Sequence, residues 1–318
     1  MRVLITGAAG FLGQSLLNEL AVQHLDWTLI AADMQQIKSQ GLRPNIEPVA
    51  LDLSVAANTR ACVELWKPDA IVHLAAVVNP PPEMTAQKRH AIEVGGTRAL
   101  IEAARDNDVR QLIVTSSGAA YGFHRDNAEW IDESHPLRGQ PHLLHARCKQ
   151  EIEQLLAKAR ENYPQIKQLI LRPGTILGRR VHNPLAELFA RRSLMGVMGH
   201  RSRFVFIWDQ DVVNVIRQGL ERGSEGIYNL AGDGALSLRE IAGLLNKPYH
   251  PMPASLMRVG LGLLKPLGLS HFGPEQVDYL RYRPVLDNRR LKEEFGYEPR
   301  YSSREAFLAY LAARGLHS

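Results

Sequence analysis

The chain has 318 residues, of which 45% are hydrophobic, 22% charged and 7% aromatic. That is enough for a full core and for about two domains, and it excludes a disordered polypeptide. Lys and Arg number 38 against 33 Asp and Glu, a net charge of +5. The excess is scattered, and short clusters such as Arg179-Arg180, Arg191-Arg192 and Arg289-Arg290 have no interleaved aromatics. No nucleic-acid partner is expected, and the charge suits an anionic cofactor or substrate. Two cysteines, Cys62 and Cys148, exclude a disulfide framework and make a reducing, cytoplasmic compartment the expectation. No signal-peptide pattern opens the chain, and no apolar run reaches the ~20 residues of a membrane span.

The first half alternates two kinds of segment. Short β-rich runs are read at Arg2–Thr6, Trp27–Asp33, Pro48–Leu53, Ala70–Ala76, Gln111–Ser117 and Gln168–Pro173. Longer stretches with helical spacing fall at Phe11 to His24, where Leu12, Leu16, Leu17 and Leu20 share a face, at Met84 to Arg105 and at Leu144 to Arg160. This alternation predicts an α/β protein with a doubly wound parallel sheet, helices on both faces. Pro80-Pro81-Pro82 marks a stiff turn. After Gly174 the alternation fades. Gly226–Leu230 reads as a seventh strand, and Leu238–Leu245, Ala254–Leu264 and Arg304–Ala313 read as short helices of a small, mostly helical lobe.

Thr6-Gly7-Ala8-Ala9-Gly10-Phe11-Leu12-Gly13 follows the first strand and opens the first helix. Glycines Gly7, Gly10 and Gly13 permit a tight turn and close approach of the backbone to a pyrophosphate. The helix start, at Phe11 and Leu12, offers free N–H groups and a positive dipole end. Asp33 ends the second strand twenty residues past Gly13. A carboxylate there binds ribose hydroxyls and repels a 2′-phosphate, so NAD is expected over NADP. No arginine follows it, and Lys38 is five residues on. Asp52 and Leu53 end the third strand, where they would lie near adenine; Asp52 and Ser54 also suit an ordinary helix-capping role.

Further along come H-L-A-A at His73–Ala76, G-T at Gly96-Thr97, S-S-G-A-A-Y-G at Ser116–Gly122 and L-R-P-G-T-I-L-G at Leu171–Gly178. They are followed by Phe204–Val213, Tyr228–Gly234 and Asp287–Pro299. With the glycine loop, and in this order, these segments resemble the extended branch of the short-chain dehydrogenase/reductase family. That branch includes nucleotide-sugar epimerases and dehydratases and hydroxysteroid-type dehydrogenases. The resemblance spans nearly the whole chain. It implies a Rossmann-type domain over residues 1–174, with 205–230 returning to it, and a substrate lobe from 175–204 and 231–318. It implies that Ala75 and Ala76 line the cofactor and that Pro173, Gly174 and Thr175 border the nicotinamide. Ser117 would be the catalytic hydroxyl, Phe204–Val213 a returning strand with its aspartate, and the helices near 84–106 and 144–161 a homodimer face.

The family's Tyr-x-x-x-Lys signature is altered. The chain reads His145-Ala146-Arg147-Cys148-Lys149, with Glu153 four residues on. Lys149 and Glu153 fit the pattern, so histidine takes the tyrosine position. A second departure is Glu93, where the family commonly has Asn. Three readings of His145 follow. It is the acid/base, an imidazole kept neutral by Lys149 and cofactor, although its shorter reach needs a deeper substrate or a water. It is a substrate-contact or structural residue in a site whose chemistry is weak or lost. Or it is a metal ligand with His142 and Cys148, for which no further ligand cluster with recognisable spacing exists, so no metal is expected.

The substrate is expected to be a small molecule, either an apolar alcohol or ketone or a sugar nucleotide. The apolar stretch Met257–Gly273 would shape a hydrophobic pocket, touch a membrane surface or simply pack on its neighbour. Arg179, Arg180 and Arg203 are candidates for a diphosphate. The leading expectation is an NAD-dependent oxidoreductase acting on a secondary alcohol or ketone, with Ser117, His145 and Lys149 as its catalytic group. The alternatives are a nucleotide-sugar epimerase that retains NAD and a non-catalytic NAD(P)-binding regulatory protein. Gly118-Ala119 stands where a dehydratase carries its acidic pair, which disfavours dehydration.

Overall fold

A computed structural model describes residues 1–315 apart from 38–40, 82, 180, 182–187, 190 and 269–272. Lys38, Pro82, Arg180 and part of the Met257–Gly273 stretch therefore lie outside the described residues. Seven strands form one sheet: β1 (Arg2–Thr6), β2 (Thr28–Asp33), β3 (Ile46–Ala50), β4 (Ala70–His73), β5 (Gln111–Thr115), β6 (Lys167–Pro173) and, late in the chain, β11 (Gly226–Leu230). Their order is β11-β6-β5-β4-β1-β2-β3, and every pairing is parallel. Strand periodicity assigns the two faces. Val3, Ile5, Leu29, Ala31, Ile113 and Leu169 enter one core, while Leu4, Ile30, Ala32, Leu112, Val114 and Ile170 enter the other.

The first core is covered by α1 (Phe11–Gln23), through Leu12, Leu16, Leu17 and Leu20. The second is covered by α2 (Ala56–Trp66), α4 (Gly96–Asp106) and α5 (Leu144–Asn162). The expected helix from Met84 begins at α3 (Ala86–His90), where the Thr85 hydroxyl accepts the Lys88 N–H. It passes through a single π turn, Ala91–Gly95, before α4. The expected third strand begins two and ends three residues earlier than read, because the Asp52 carboxylate turns the chain by accepting the Ser54 N–H and hydroxyl.

Beyond β6 the chain forms three two-stranded ribbons. They join β7 (Thr175–Leu177) to β10 (Phe206–Trp208), β9 (Arg203–Phe204) to β12 (Leu236–Ser237), and β8 (Leu194–Val197) to β13 (Tyr249–Met252). The segment expected as one returning strand, Phe204–Val213, is instead β10 followed by α6 (Asp209–Arg222), which buries Val212, Val213, Ile216 and Leu220 in the first core. Helices α7 (Leu238–Leu244), α8 (Ala254–Leu264), α9 (Gln276–Arg281) and α10 (Ser303–Ala313) complete this region. A separate aromatic core of Phe189, Phe204, Phe206 and Phe307 holds it together.

A buried ion pair ties α5 to the sheet. Arg172 on β6 donates from Nη2 to Glu153 Oε2 at 2.6 Å and from Nε to both carboxylate oxygens at 2.9 and 3.0 Å. Ser116 donates to the same carboxylate at 2.6 Å. Arg172 Nη1 donates to the Tyr121 hydroxyl, which donates to Asn229 Oδ1. Both side chains of the pair are under 5% exposed, so losing either leaves a charge in a dry interior. Glu153→Gln should lower the stability by about 3–5 kcal/mol. A urea titration should register this as a lower midpoint at unchanged slope.

Candidate active site

The strand order reverses around β1, which lies between β4 and β2, and this opens a crevice at the carboxyl ends of β1 and β4. Gly7 sits there with φ +74°, and a Cβ on it would come within 2.6 Å of the Ala75 nitrogen. Only glycine permits that approach of two backbones. Gly13 serves packing too: its Cβ would lie 2.3 Å from the Gly7 carbonyl oxygen. Gly10 caps α1 with no side-chain bond, and the first turn carries no acid. The first N–H groups of α1, around Phe11 to Gly13, are thus left for an external acceptor.

Asp33 clamps this loop. Its carboxylate accepts the Ala9 N–H at 3.0 Å and the Gln35 N–H at 2.9 Å. An ionised carboxylate has about four acceptor positions, so capacity remains for hydroxyls. Asp52 is engaged in its own turn with Ser54, and its carboxyl is held below the usual range by those bonds. Leu53 is buried against Gly96.

Ahead of Ala75 and Ala76, His73 ends β4 and is 3% exposed. The Thr97 hydroxyl donates to the Glu93 carbonyl at 2.6 Å, so it accepts from His73 Nε2 at 3.0 Å. His73 Nδ1 then accepts from the Thr6 hydroxyl at 2.7 Å. This neutral ring joins β1, β4 and α4, and burial pushes its pKa down to about 3.

A cavity of about 550 Å³ opens beside the loop. Phe11, Leu12, Ala76, Ser117, His145, Lys149 and Pro173 all line it, so the structure brings the expected catalytic group together with one end of the expected cofactor path. Ser117 Oγ accepts the Ala119 N–H at 3.1 Å, which leaves its own proton for another acceptor. Lys149 is buried and donates to the Thr115 carbonyl at 3.2 Å. Burial lowers its pKa, and Glu93 and Glu153 oppose that fall. His145 is half-buried, and desolvation together with Lys149 pushes its pKa down to about 4.

The sequence reading missed Arg89 as a site residue. Its Nε donates to Glu93 Oε1 at 2.8 Å, and its Nη2 lies 3.3 Å from His145 Nδ1. Glu93 also accepts the Val77 N–H, and its Oε2 is buried with no partner among the described residues. Arg89 in an exposed-looking Lys-Arg-His run carries no sequence signal for this role. A metal reading of His145 loses its geometry: α5 starts at Leu144, so His142 precedes the helix. No cluster of metal-ligating side chains occurs among the described residues. Arg203, a diphosphate candidate, pairs with Glu129 at 2.9 Å and stacks on Trp130.

Residues 3–231 match the model of the NAD-dependent epimerase/dehydratase family. The chain belongs to that family. A UDP-glucose 4-epimerase of Mycolicibacterium smegmatis is 29% identical over 334 aligned positions, covering 96% of each chain. A 4-hydroxy-2-methyl-3-oxo-4-farnesyl-3,4-dihydroquinoline-1-oxide ketoreductase of Stigmatella aurantiaca is 26% identical over 181 positions, 56% of this chain and 51% of that one. The crystal structure of a UDP-glucose 4-epimerase from Thermotoga maritima shares the fold, with a TM-score of 0.74 at 19% identity and 99% coverage of both chains.

NAD is the cofactor of the family, and the residues of this epimerase/dehydratase relative fit it. The uncapped start of α1 fits a pyrophosphate, Asp33 fits ribose hydroxyls, and Lys149 and Pro173 line the cavity. No helix among the described residues is long and apolar enough to cross a membrane.

Two outcomes follow from this geometry. Asp33→Asn keeps an acceptor for Ala9 and removes the charge. Parallel fluorescence titrations should therefore show the preference for NADH over NADPH narrowing about tenfold or more. The second concerns acid. The folded pKa of His73, about 3, lies below the ordinary value near 6.5, so the unfolded chain binds the extra proton between these limits. Stability therefore falls as pH drops through 6.5 toward 3, by about 2 kcal/mol from this group at pH 5. Urea midpoints at pH 7 and pH 5 should converge in His73→Gln.

Proposed function

We propose that this protein is an NAD-dependent oxidoreductase that interconverts a secondary alcohol and a ketone on a largely apolar substrate. The observation that carries this reading is the wall of the cavity. Val78, Met195, Met257, Leu261 and Leu280 face the same space as Ser117, His145 and Lys149. A substrate with an apolar body fills such a wall, while its one reacting oxygen meets the polar group.

When bound, NAD supplies or takes up the hydride. The chain's own residues do the rest. The Ser117 hydroxyl, held by the Ala119 N–H, donates to the reacting oxygen and stabilises the charge that develops there. Lys149, anchored on the Thr115 carbonyl, keeps two further N–H donors for ribose hydroxyls. The apolar wall lowers the polarity around the oxygen and strengthens both contacts. The ketoreductase relative supports this reading, since its named substrate carries a farnesyl chain. A sugar-nucleotide epimerase is the second reading, favoured by the full-length alignment with the mycobacterial enzyme. Its diphosphate candidate Arg203 is engaged with Glu129, whereas Arg191 lines the cavity and Arg179 is exposed.

Mass analysis of nucleotide released from the freshly denatured protein separates the two. The proposal expects little retained NAD, together with consumption of added NADH by long-chain or isoprenoid ketones and no turnover of UDP-glucose. Stoichiometric retained NAD with UDP-glucose turnover overturns it. Ser117→Ala should cut kcat/KM on the active ketone about a hundredfold with NADH affinity unchanged.

A further inference from the structure

We propose that Arg89 locks His145 as a neutral hydrogen-bond donor to the reacting oxygen, so that the ring orients and polarises the substrate without carrying its proton. The inference rests on the proposed reaction in this cavity. A guanidinium has donors and no acceptor. The 3.3 Å contact between Arg89 Nη2 and His145 Nδ1 therefore makes Nδ1 an acceptor. A neutral imidazole that accepts at Nδ1 carries its proton on Nε2, the ring nitrogen left for the cavity that His145 lines. Such a ring donates to an oxygen. To abstract a proton through Nε2 it would have to move its own proton to Nδ1, against Arg89.

The surroundings oppose the doubly protonated form as well. Arg89 from α3 and Lys149 from α5 itself both face the ring with positive charge, and among the described residues Glu93 from the π turn opposes them. Arg89 cannot swing away cheaply, because its Nε is bound to the buried Glu93 carboxylate at 2.8 Å. Arg89 is thus a positioning residue that acts through His145, and Glu93 holds Arg89. In ketone reduction the hydride goes to the carbonyl carbon, and the oxygen takes one net proton from solvent, relayed by a water at the cavity mouth that regains its proton from bulk. The Nε2 proton stays on the ring.

The test begins on the unmodified protein loaded with NAD. Nitrogen-15 spectra, with the His145 signals identified by difference from His145→Phe, should show the proton on Nε2 and no titration of this ring between pH 5.5 and 8.5. A proton on Nδ1, or a titration in that range, overturns the proposal. Arg89→Met should give a mixture of tautomers, and Arg89→Lys should restore part of the Nε2 form. In turnover, His145→Gln keeps a donor that cannot titrate. It should retain activity within about tenfold of the native enzyme, while His145→Phe falls about a hundredfold or more. Equal losses in Gln and Phe variants overturn the donor role even if the spectra show the lock. Absence of turnover on every ketone sinks the proposed reaction and the donor role with it, whereas the tautomer is still read from the spectra alone.

Discussion

The register of α5 against the sheet rests on one buried interaction, the ion pair of Glu153 with Arg172. His145, Lys149 and Glu153 follow one another at intervals of four residues and so share a helix face. Each meets a partner from a different element: Arg89 on α3, the Thr115 carbonyl on β5 and Arg172 on β6. The Glu153 pair has the most bonds of the three. It fixes where the face points, and the two residues toward the helix start are placed in the cavity as a result.

That arrangement sets the electrostatics of the site. Lys149 is buried with its charge balanced by Glu93 and Glu153. A histidine brought beside it loses solvent and faces two cations, which is why its pKa falls to about 4 and away from the neutral range. A ring titrating that low is a weak base at neutral pH, and one accepting from Arg89 has its proton facing away from α3. On the proposed reaction, the substitution at the tyrosine position thus changes the kind of contact made with the oxygen as well as its reach.

Much of this was legible in the sequence for physical reasons. The glycine loop, Asp33, the seven strands and the residues of α5 are local patterns, each fixed by a turn, a periodicity or a helix spacing. The elements that were not read lack such patterns. Helix α2 buries only Thr59, Cys62 and Val63, too few apolar residues to show a stripe. Helix α6 was hidden because its first turn continues the run Phe204–Trp208 into Asp209. Arg89 could not be found because its partners are set by the fold: His145 lies 56 residues away, and Lys-Arg-His on a helix reads as a solvated face. Several motif residues turn out to build the frame rather than the chemistry. Tyr121, Arg172 and Asn229 form one buried chain of hydrogen bonds behind the cavity.

The two departures at Glu93 and His145 are two ends of one unit. A buried acid at position 93 without a cation would be costly, and a buried guanidinium beside Lys149 without an anion would be equally so. Arg89 resolves both, since its Nε satisfies Glu93 while its Nη2 faces His145. With Lys149 included, two cations surround one carboxylate near the ring, and the remaining carboxylate oxygen of Glu93 is unpartnered among the described residues. Arg89 donates to Glu93 from Nε and faces His145 Nδ1 from Nη2, so the residues at 93 and 145 are linked through the arginine between them.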